Sequence, residues 1–331
     1  MIGVLLVNLG TPDDPGTPSV RKYLREFLMD GRVIDIPYPF RYLLVNGIIA
    51  PFRAPQSAKI YKELWEERGS PLKFYGEDVC ASLTEKLGDG YMVRLAMRYQ
   101  SPDLKSVMSE MQTANLKKLI VIPFFPQYAS ATTGSVYERV MEIMSDWQIM
   151  PSLSMVSYFY QHPIFAKYFA DKAANYQKDV DFDYYLFSYH GVPERHIRKG
   201  DITKNTCVFG TCCETITEKN HSCYRAQCHE TTRLIAAEMG LKPGIVIKLS
   251  NEFARSLMQM PSEAYQSNDG LAKHFKGIAI IPENDEFMPG DGGYAVFDLS
   301  NVISLAYRAK IMLYYNDTNT FVFGFEGKGF P

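Results

Sequence analysis

The sequence predicts an α/β protein with two doubly wound, Rossmann-like lobes, each built on a mainly parallel four-stranded sheet, and a cleft between the lobes. Three observations support this prediction. Short β-branched and aromatic runs alternate with longer segments of helical periodicity. The alternation restarts near the middle of the chain. A length of 331 residues is sufficient for two domains with separate cores.

The first lobe is predicted to span residues 1–160. Its strands are expected at Val4–Asn8, Met92–Met97, Leu119–Pro123 and near Ser154–Tyr158. Its helices, in which apolar residues recur three and four positions apart, are expected at Thr17–Leu28, Pro102–Thr113 and Gly134–Met144.

The second lobe, residues 161–331, repeats this order. Helices are predicted at Pro163–Tyr176 and Gln227–Met239, and strands at Tyr184–Ser188, Gly244–Leu249 and Gly277–Ile281. Ligands of doubly wound proteins bind at the carboxyl ends of the strands. Polar segments follow predicted strands at residues 8–12, 123–128 and 189–191. The candidate site is therefore expected at these strand ends.

Composition excludes some functions and leaves others open. The chain is 46% hydrophobic and 22% charged with a net charge of −2, so it lacks the basic character typical of nucleic-acid binding. Its 22 Tyr and 20 Phe suit either a flat apolar ligand or an ordinary aromatic core. The first residues lack the basic start of a signal peptide, and no run of 18 apolar residues is present. We therefore expect a cytoplasmic protein.

Residues 38–54 form an apolar segment interrupted by Pro and Gly, with Arg41 and Arg53 among its residues. One interpretation is a buried helical hairpin. The other is an exposed apolar lip over the cleft, suited to a greasy substrate or to peripheral contact with the inner face of the membrane.

His190 directly follows a predicted strand and precedes Gly191. Histidine titrates near neutral pH and accepts protons or binds metals. A single histidine in this setting is more often structural, so the surrounding motif decides between the two interpretations.

The six cysteines are unevenly distributed. Cys80 is isolated, whereas five lie between Cys207 and Cys228. In a reducing compartment this clustering favours a metal centre over disulfides, and closely spaced thiolates favour iron–sulfur or zinc. His221 is an alternative ligand. Zinc and an iron–sulfur centre both remain open from the residues alone.

Six motifs together resemble those of the ferrochelatases, in the order that this family has them. The most specific is SYHGVPERHIRKGD, which contains His190. The others are VNLGTP, REFLMDGRVIDIP, APQSAKIYKELW with GSPL, MRYQSP, and PFFPQYASATTGS. The resemblance covers residues 2–240 and implies a type II chelatase-like fold.

The resemblance also implies the activity, which is insertion of Fe²⁺ into protoporphyrin IX in haem biosynthesis, by a lyase that needs no organic cofactor. His190 would accept a pyrrole proton or first contact the metal. Arg98 and Tyr99 match a pair in the family's active-site cleft. Further porphyrin contacts are implied for the loop residues Leu9, Gln127, Tyr128, Ser130 and Thr132.

The cysteines lie in what looks like an insertion, residues 202–228. Some bacterial ferrochelatases have a similar arrangement and hold a 2Fe–2S cluster. The implied ligands are Cys207, Cys212, Cys213 and Cys223, with Cys228 as an alternative.

The chain departs from the family pattern after Gly244. The expected acidic helix motif, whose glutamate faces the histidine across the cleft, is absent. Alignment from later segments places Asp298 at that position, with Val302 at the second acid. Counting from the predicted strand instead indicates Glu283, Asp285 or Glu286.

Two alternatives follow from this departure. One is a chelatase that acts on coproporphyrin or inserts another divalent metal. The other is a non-catalytic porphyrin- or haem-binding protein that has lost the opposing carboxylate. The sequence does not define the oligomeric state.

Overall fold

The computed structural model describes residues 1–177, 184–208, 211–241, 246–250, 311–314 and 323–325. The chain divides into two compact units, Met1–Phe159 and Tyr160–Pro331.

The first unit is built on a parallel four-stranded sheet in the order β2-β1-β3-β4. Its strands are β1 (Ile2–Gly10), β2 (Tyr91–Tyr99), β3 (Lys118–Pro123) and β4 (Ser152–Met155). The central strands are almost continuously apolar, as expected for a parallel sheet covered on both faces. Leu5 and Val7 pack into one core cluster, whereas Val4 and Leu6 pack into a second. The alternation of the two sets along β1 places the clusters on opposite faces of the sheet.

The first unit also contains six α-helices. They are α1 (Thr17–Met29), α2 (Tyr38–Leu43), α3 (Ala50–Leu64), α4 (Pro71–Leu87), α5 (Leu104–Thr113) and α6 (Ser135–Ser145). Two π-helical turns, Leu44–Ile49 and Ser130–Gly134, lead into α3 and α6. Helix α5 begins two residues later than predicted, because Asp103 accepts hydrogen bonds from the backbone N–H groups of Lys105 and Ser106 and so caps the helix.

The described residues of the second unit form a sheet in the order β6-β5-β7-β8, in which the β7–β8 pair is antiparallel and the other two pairs are parallel. Its strands are β5 (Tyr184–Tyr189), β6 (Val246–Ser250), β7 (Ile311–Tyr314) and β8 (Phe323–Phe325). Its helices are α7 (Pro163–Gln177), α8 (Glu194–Gly200) and α9 (Tyr224–Glu238). The α/β class and the mainly parallel sheets are confirmed. The predicted strand Gly277–Ile281 lies outside the described residues.

Two predicted boundaries were wrong by three residues. Helix α9 begins at Tyr224 rather than Gln227, because Cys223 has the extended backbone conformation of an N-cap. Strand β4 ends at Met155 and does not reach Tyr158, because its pairing with β3 extends only from Lys118–Ser152 to Val121–Met155.

Residues 38–54 are helical and mostly exposed. Val45, Ala50 and Ala54 are buried, whereas Phe52 is 74% exposed. The large exposed apolar side chains of this segment are Tyr38, Phe40, Tyr42, Leu43, Ile48 and Phe52. The interpretation as a buried hairpin was wrong, since the small residues face inward and the large ones face outward. Among the described residues, no helix combines the length and hydropathy needed to cross a membrane.

Candidate active site

The carboxyl ends of β1, β2 and β3 lie at one edge of the first sheet, because the three strands are parallel and paired in register. This edge brings together Leu9, the Arg98–Tyr99 pair, and the segment after Pro123. Leu9 is half-buried and packs against two core clusters. The sequence-predicted residues of this unit therefore share one location.

Asp30 is the centre of a polar cluster at this edge. Its carboxylate accepts hydrogen bonds from Arg98 Nη2 at 2.7 Å, Tyr99 Oη at 2.8 Å and Ser135 Oγ at 2.5 Å. Arg98 Nε also donates to Ser135 Oγ at 2.7 Å. We call these four residues the Asp30 cluster.

The Asp30 cluster is largely shielded from water. The Asp30 side chain is 4% exposed, that of Arg98 is 15% exposed, and Tyr99 as a residue is 1% exposed. Burial raises the pKa of Asp30, but hydrogen bonds from Ser135, the Arg32 N–H and Tyr99, together with the Arg98 charge, outweigh it and leave the pKa below its ordinary value. Burial also raises the pKa of Tyr99, which therefore remains a neutral donor. The cluster combines a carboxylate, a guanidinium and two hydroxyls in a satisfied network.

Arg32 connects this edge to the turn after β3. Its Nε donates to Glu138 Oε2 at 2.6 Å and its Nη1 donates to Ser130 Oγ at 3.0 Å. Gly134 completes the turn, since a Cβ atom there would lie 3.2 Å from both Arg32 Nη1 and Tyr128 Oη. The glycine thus permits the side chains of Arg32 and Tyr128 to approach the backbone of this turn closely.

The other predicted contacts of this turn, Gln127 and Thr132, are half-buried. Thr132 Oγ1 donates to the carbonyl of Ala129 at 3.3 Å, which helps to fix the turn. Ser130 and Thr132 lie in the π-helical turn rather than in the irregular loop that we predicted.

In the second unit, His190 directly follows β5 and is exposed. Tyr189, one residue earlier, is buried, and its hydroxyl lies 2.8 Å from Thr232 Oγ1 on α9. Tyr224, the first residue of α9, donates from its hydroxyl to the backbone carbonyl of His190 at 3.1 Å. An accessible imidazole at a strand end, with its backbone held by a helix, is suited to proton transfer.

All six cysteines have free thiols. We call residues 202–223 the thiol segment, which is the part of the predicted insertion that precedes α9. Asp201 accepts hydrogen bonds from the backbone N–H groups of Thr206 and Cys207 at 2.8 and 2.7 Å. The Asn220 amide donates to the carbonyls of Cys212 and Thr215 at 2.6 and 2.8 Å. These two side chains fix the backbone that carries the cysteines.

Four thiols of the segment are neighbours. The Sγ atoms of Cys212 and Cys213 are 3.6 Å apart. Burial, with the nearby Cys212 and Cys223 thiols, raises the pKa of Cys207 to about 11. A hydrogen bond from Cys213 lowers the pKa of Cys223, so the thiolate forms more readily on Cys223.

Cys228 differs from these four. It is buried on α9, where burial raises the pKa of its thiol, and its side-chain hydrogen bond is with Tyr224. Among the described residues, no group of three or more His, Cys, Asp or Glu side chains has the arrangement of a metal site. The four neighbouring soft donors fit a thiolate centre chemically, although their present arrangement is not that of a filled site.

The candidate opposing acids Asp298, Glu286, Glu283 and Asp285 lie outside the described residues. Sequence reasoning missed Asp30, Arg32, Ser135, Glu138, Asn220 and Tyr224. The motif MDGR contains Asp30 and Arg32 and was recognised only as part of a longer match. The long-range pairing of Asp30 with Arg98 and Ser135 leaves no spacing signal in the sequence.

The fold and the strand-end groups define an α/β enzyme with its polar side chains at the carboxyl ends of parallel strands. A ferrochelatase family model matches residues 1–255. A ferrochelatase of Coxiella burnetii is 42% identical over 240 residues, which cover 72% of this chain and 67% of the relative. A ferrochelatase of Legionella pneumophila strain Paris is 43% identical over 239 residues, which cover 72% and 70%.

The chain belongs to the ferrochelatase family. Ferrochelatases are lyases of haem biosynthesis that insert iron into a porphyrin, and this chain is an enzyme of that class. The family match ends before residues 256–331, the region that contains the candidate opposing acids.

Proposed function

We propose that this ferrochelatase inserts Fe²⁺ into protoporphyrin IX, with His190 as the acceptor of a pyrrole proton or the first metal contact. The observation that carries this proposal is the exposed position of His190 at the end of β5, within the span of the family match. A free-base porphyrin must lose two pyrrole protons before a divalent metal occupies the ring. A neutral imidazole is a suitable acceptor near neutral pH.

In this proposal, residues of the first unit contact the porphyrin. Arg98 and Tyr99 are held in place by hydrogen bonds to Asp30. We therefore assign these two side chains to orienting the porphyrin ring and handling the metal. Leu9 would provide an apolar contact. Gln127, Tyr128, Ser130 and Thr132 would position the ring or hydrogen-bond a propionate. The second proton acceptor is proposed to be Asp298, with Glu286 as the alternative.

Substitution of His190 tests the main proposal. We expect His190→Ala to lower the rate of haem formation about 10²- to 10⁴-fold, because a positioned acid–base group contributes that much. The circular dichroism spectrum should not change, since the side chain is exposed. His162, an exposed histidine of the same unit, provides the matched control His162→Ala. Wild-type turnover by the His190 variant would refute the assignment.

The choice of porphyrin and metal requires its own measurement. Turnover numbers for protoporphyrin IX and coproporphyrin, each with Fe²⁺ and Co²⁺, would rank the substrates. We expect protoporphyrin IX with Fe²⁺ to be preferred. A higher kcat/KM for coproporphyrin or for Co²⁺ would favour the first alternative chelatase.

A non-catalytic porphyrin-binding role is the second candidate function. It is favoured by one observation, namely that the family match ends at residue 255, before the region that would contain the opposing carboxylate. Tight porphyrin binding without haem formation under anaerobic conditions with Fe²⁺ would support it. Measurable product formation would exclude it.

We further propose a 2Fe–2S cluster held by Cys207, Cys212, Cys213 and Cys223, with zinc as the alternative centre. The support is the neighbouring arrangement of these free thiols and the engagement of Cys228 with Tyr224. Bound to these thiolates, such a centre would cross-link the segment. Metal and sulfide analysis distinguishes the two centres, and Cys212→Ser should remove visible absorbance whereas Cys80→Ser should not. A colourless protein that contains neither iron nor zinc would refute both.

The exposed apolar face of residues 38–54 supports a proposed peripheral contact with the inner face of the membrane, in an otherwise cytoplasmic protein.

A further inference from the structure

Helix α9 contacts the end of β5 at two successive residues. The Tyr189 hydroxyl is 2.8 Å from Thr232 Oγ1, and the Tyr224 hydroxyl donates to the His190 carbonyl at 3.1 Å. Thr232 and Tyr189 are both buried, so the first contact belongs to the core. The second contact reaches the exposed residue to which we assign the chemistry.

We propose that Tyr224 is a positioning residue for His190, and that α9 thereby connects the thiol segment to the proton acceptor. This inference rests on the proposed role of His190. The Tyr224 ring packs against the core cluster of the second unit, and its hydroxyl also contacts the Cys228 thiol. The Tyr224 hydroxyl therefore has a fixed position, and its hydrogen bond restrains the backbone of His190.

The connection to the thiol segment is direct along the chain. Cys223 is the N-cap of α9 and precedes Tyr224, and its thiol is hydrogen-bonded with Cys213. Gln227 Nε2, in the first two turns of α9, donates to the carbonyl of His221 at 2.5 Å. We therefore expect a change in the arrangement of the thiols to move the start of α9, and Tyr224 with it.

The position of the His190 imidazole should affect the rate of proton transfer. A proton acceptor works only within hydrogen-bonding reach of the proton that it accepts, and a displacement of about 1 Å costs up to about 10² in rate. His190 is followed by Gly191, which leaves the backbone free to move unless a neighbouring group holds it. Tyr224 restrains this backbone through its hydrogen bond to the His190 carbonyl.

Tyr224→Phe removes the hydroxyl and retains the ring. We expect kcat for haem formation to fall about threefold to tenfold, the loss of one neutral hydrogen bond, with little change in KM for the porphyrin or in the melting temperature. The matched control is Tyr168→Phe, which removes an exposed hydroxyl from α7 of the same unit.

A second comparison separates this inference from the proposal for His190. In the His190→Ala background, Tyr224→Phe should not lower the residual rate further. Wild-type turnover by His190→Ala would refute the role of His190, whereas an inactive His190 variant with a fully active Tyr224→Phe would refute only the present inference. Equal losses in both backgrounds would show a merely structural role and would also overturn it.

Hydrogen exchange tests the connection to the thiols without an activity assay. We expect Tyr224→Phe and Cys213→Ser each to accelerate amide exchange at Gly191 and Val192, with exchange in α7 unchanged. Cys80→Ser, which changes a thiol in the first unit, is the control. Unchanged exchange at Gly191 and Val192 in the Cys213 variant would refute the connection.

Discussion

The two units hold their strand-end groups in opposite ways. In the first unit, the Asp30 carboxylate is 4% exposed and accepts hydrogen bonds from three side chains. In the second unit, the His190 side chain is exposed, and its backbone carbonyl accepts a hydrogen bond from the Tyr224 hydroxyl. The Asp30 cluster is a closed polar network, whereas His190 has an accessible side chain and a backbone that is restrained by a hydrogen bond.

This difference agrees with the proposed division of work. A proton acceptor becomes charged when it acts, and burial would disfavour the charged imidazolium. Groups that orient a rigid macrocycle benefit instead from fixed rotamers, which the satisfied Asp30 cluster provides. The comparison predicts that substitutions in the Asp30 cluster will affect stability, whereas substitution of His190 will affect the rate.

The largest effect on stability is expected for Asp30→Ala. Removing this carboxylate leaves the Arg98 guanidinium, which is 15% exposed, without its negatively charged partner. Breaking such a buried pair costs about 3–5 kcal/mol. Urea unfolding should therefore show a large decrease in midpoint, and Asp78→Ala, which breaks an exposed pair with Arg68, is the control. Equal midpoints for the two variants would contradict the comparison.

A smaller, pH-dependent effect is expected for Asp30→Asn. The folded-state pKa of Asp30 is depressed, so its carboxylate contributes stability that is fully present above the unfolded pKa of about 3.9 and is lost as the pH falls through the lower folded value. The difference in unfolding free energy between wild type and variant should be constant from about pH 5 to 8 and should narrow below about pH 4. A constant difference across the acid range would show that Asp30 is not the titrating group.

The order of the elements followed from local patterns. Hydrophobic periodicity predicted β1, α1 and β5 to within two residues of each end, because apolar spacing is a property of neighbouring positions. The position of His190 directly after β5 followed from the predicted strand, whereas its exposure comes from the structure. The start of α9 did not follow, because Cys223 is not a common N-cap residue.

The hydrogen bonds of the Asp30 cluster could not be predicted from the sequence. Asp30 and Ser135 are separated by more than 100 positions, and nothing in the local sequence indicates that they share hydrogen bonds. Tyr224 was likewise treated as one more aromatic residue in an aromatic-rich chain. Contacts of this kind depend on tertiary packing, and only the structure identifies them.

The smallest effect on the folded state is expected in the exposed segment 38–54. Phe52 is 74% exposed, so Phe52→Ser should leave the free energy of unfolding within about 0.5 kcal/mol of wild type. The same change should weaken binding to vesicles of anionic and neutral phospholipid, because burial of each apolar side chain contributes to interfacial affinity. Ile149→Ser, at a similarly exposed apolar residue outside the segment, is the control. Equal vesicle binding by the two variants would remove the support for membrane contact. The remaining interpretation would be that the apolar face of residues 38–54 contacts the porphyrin.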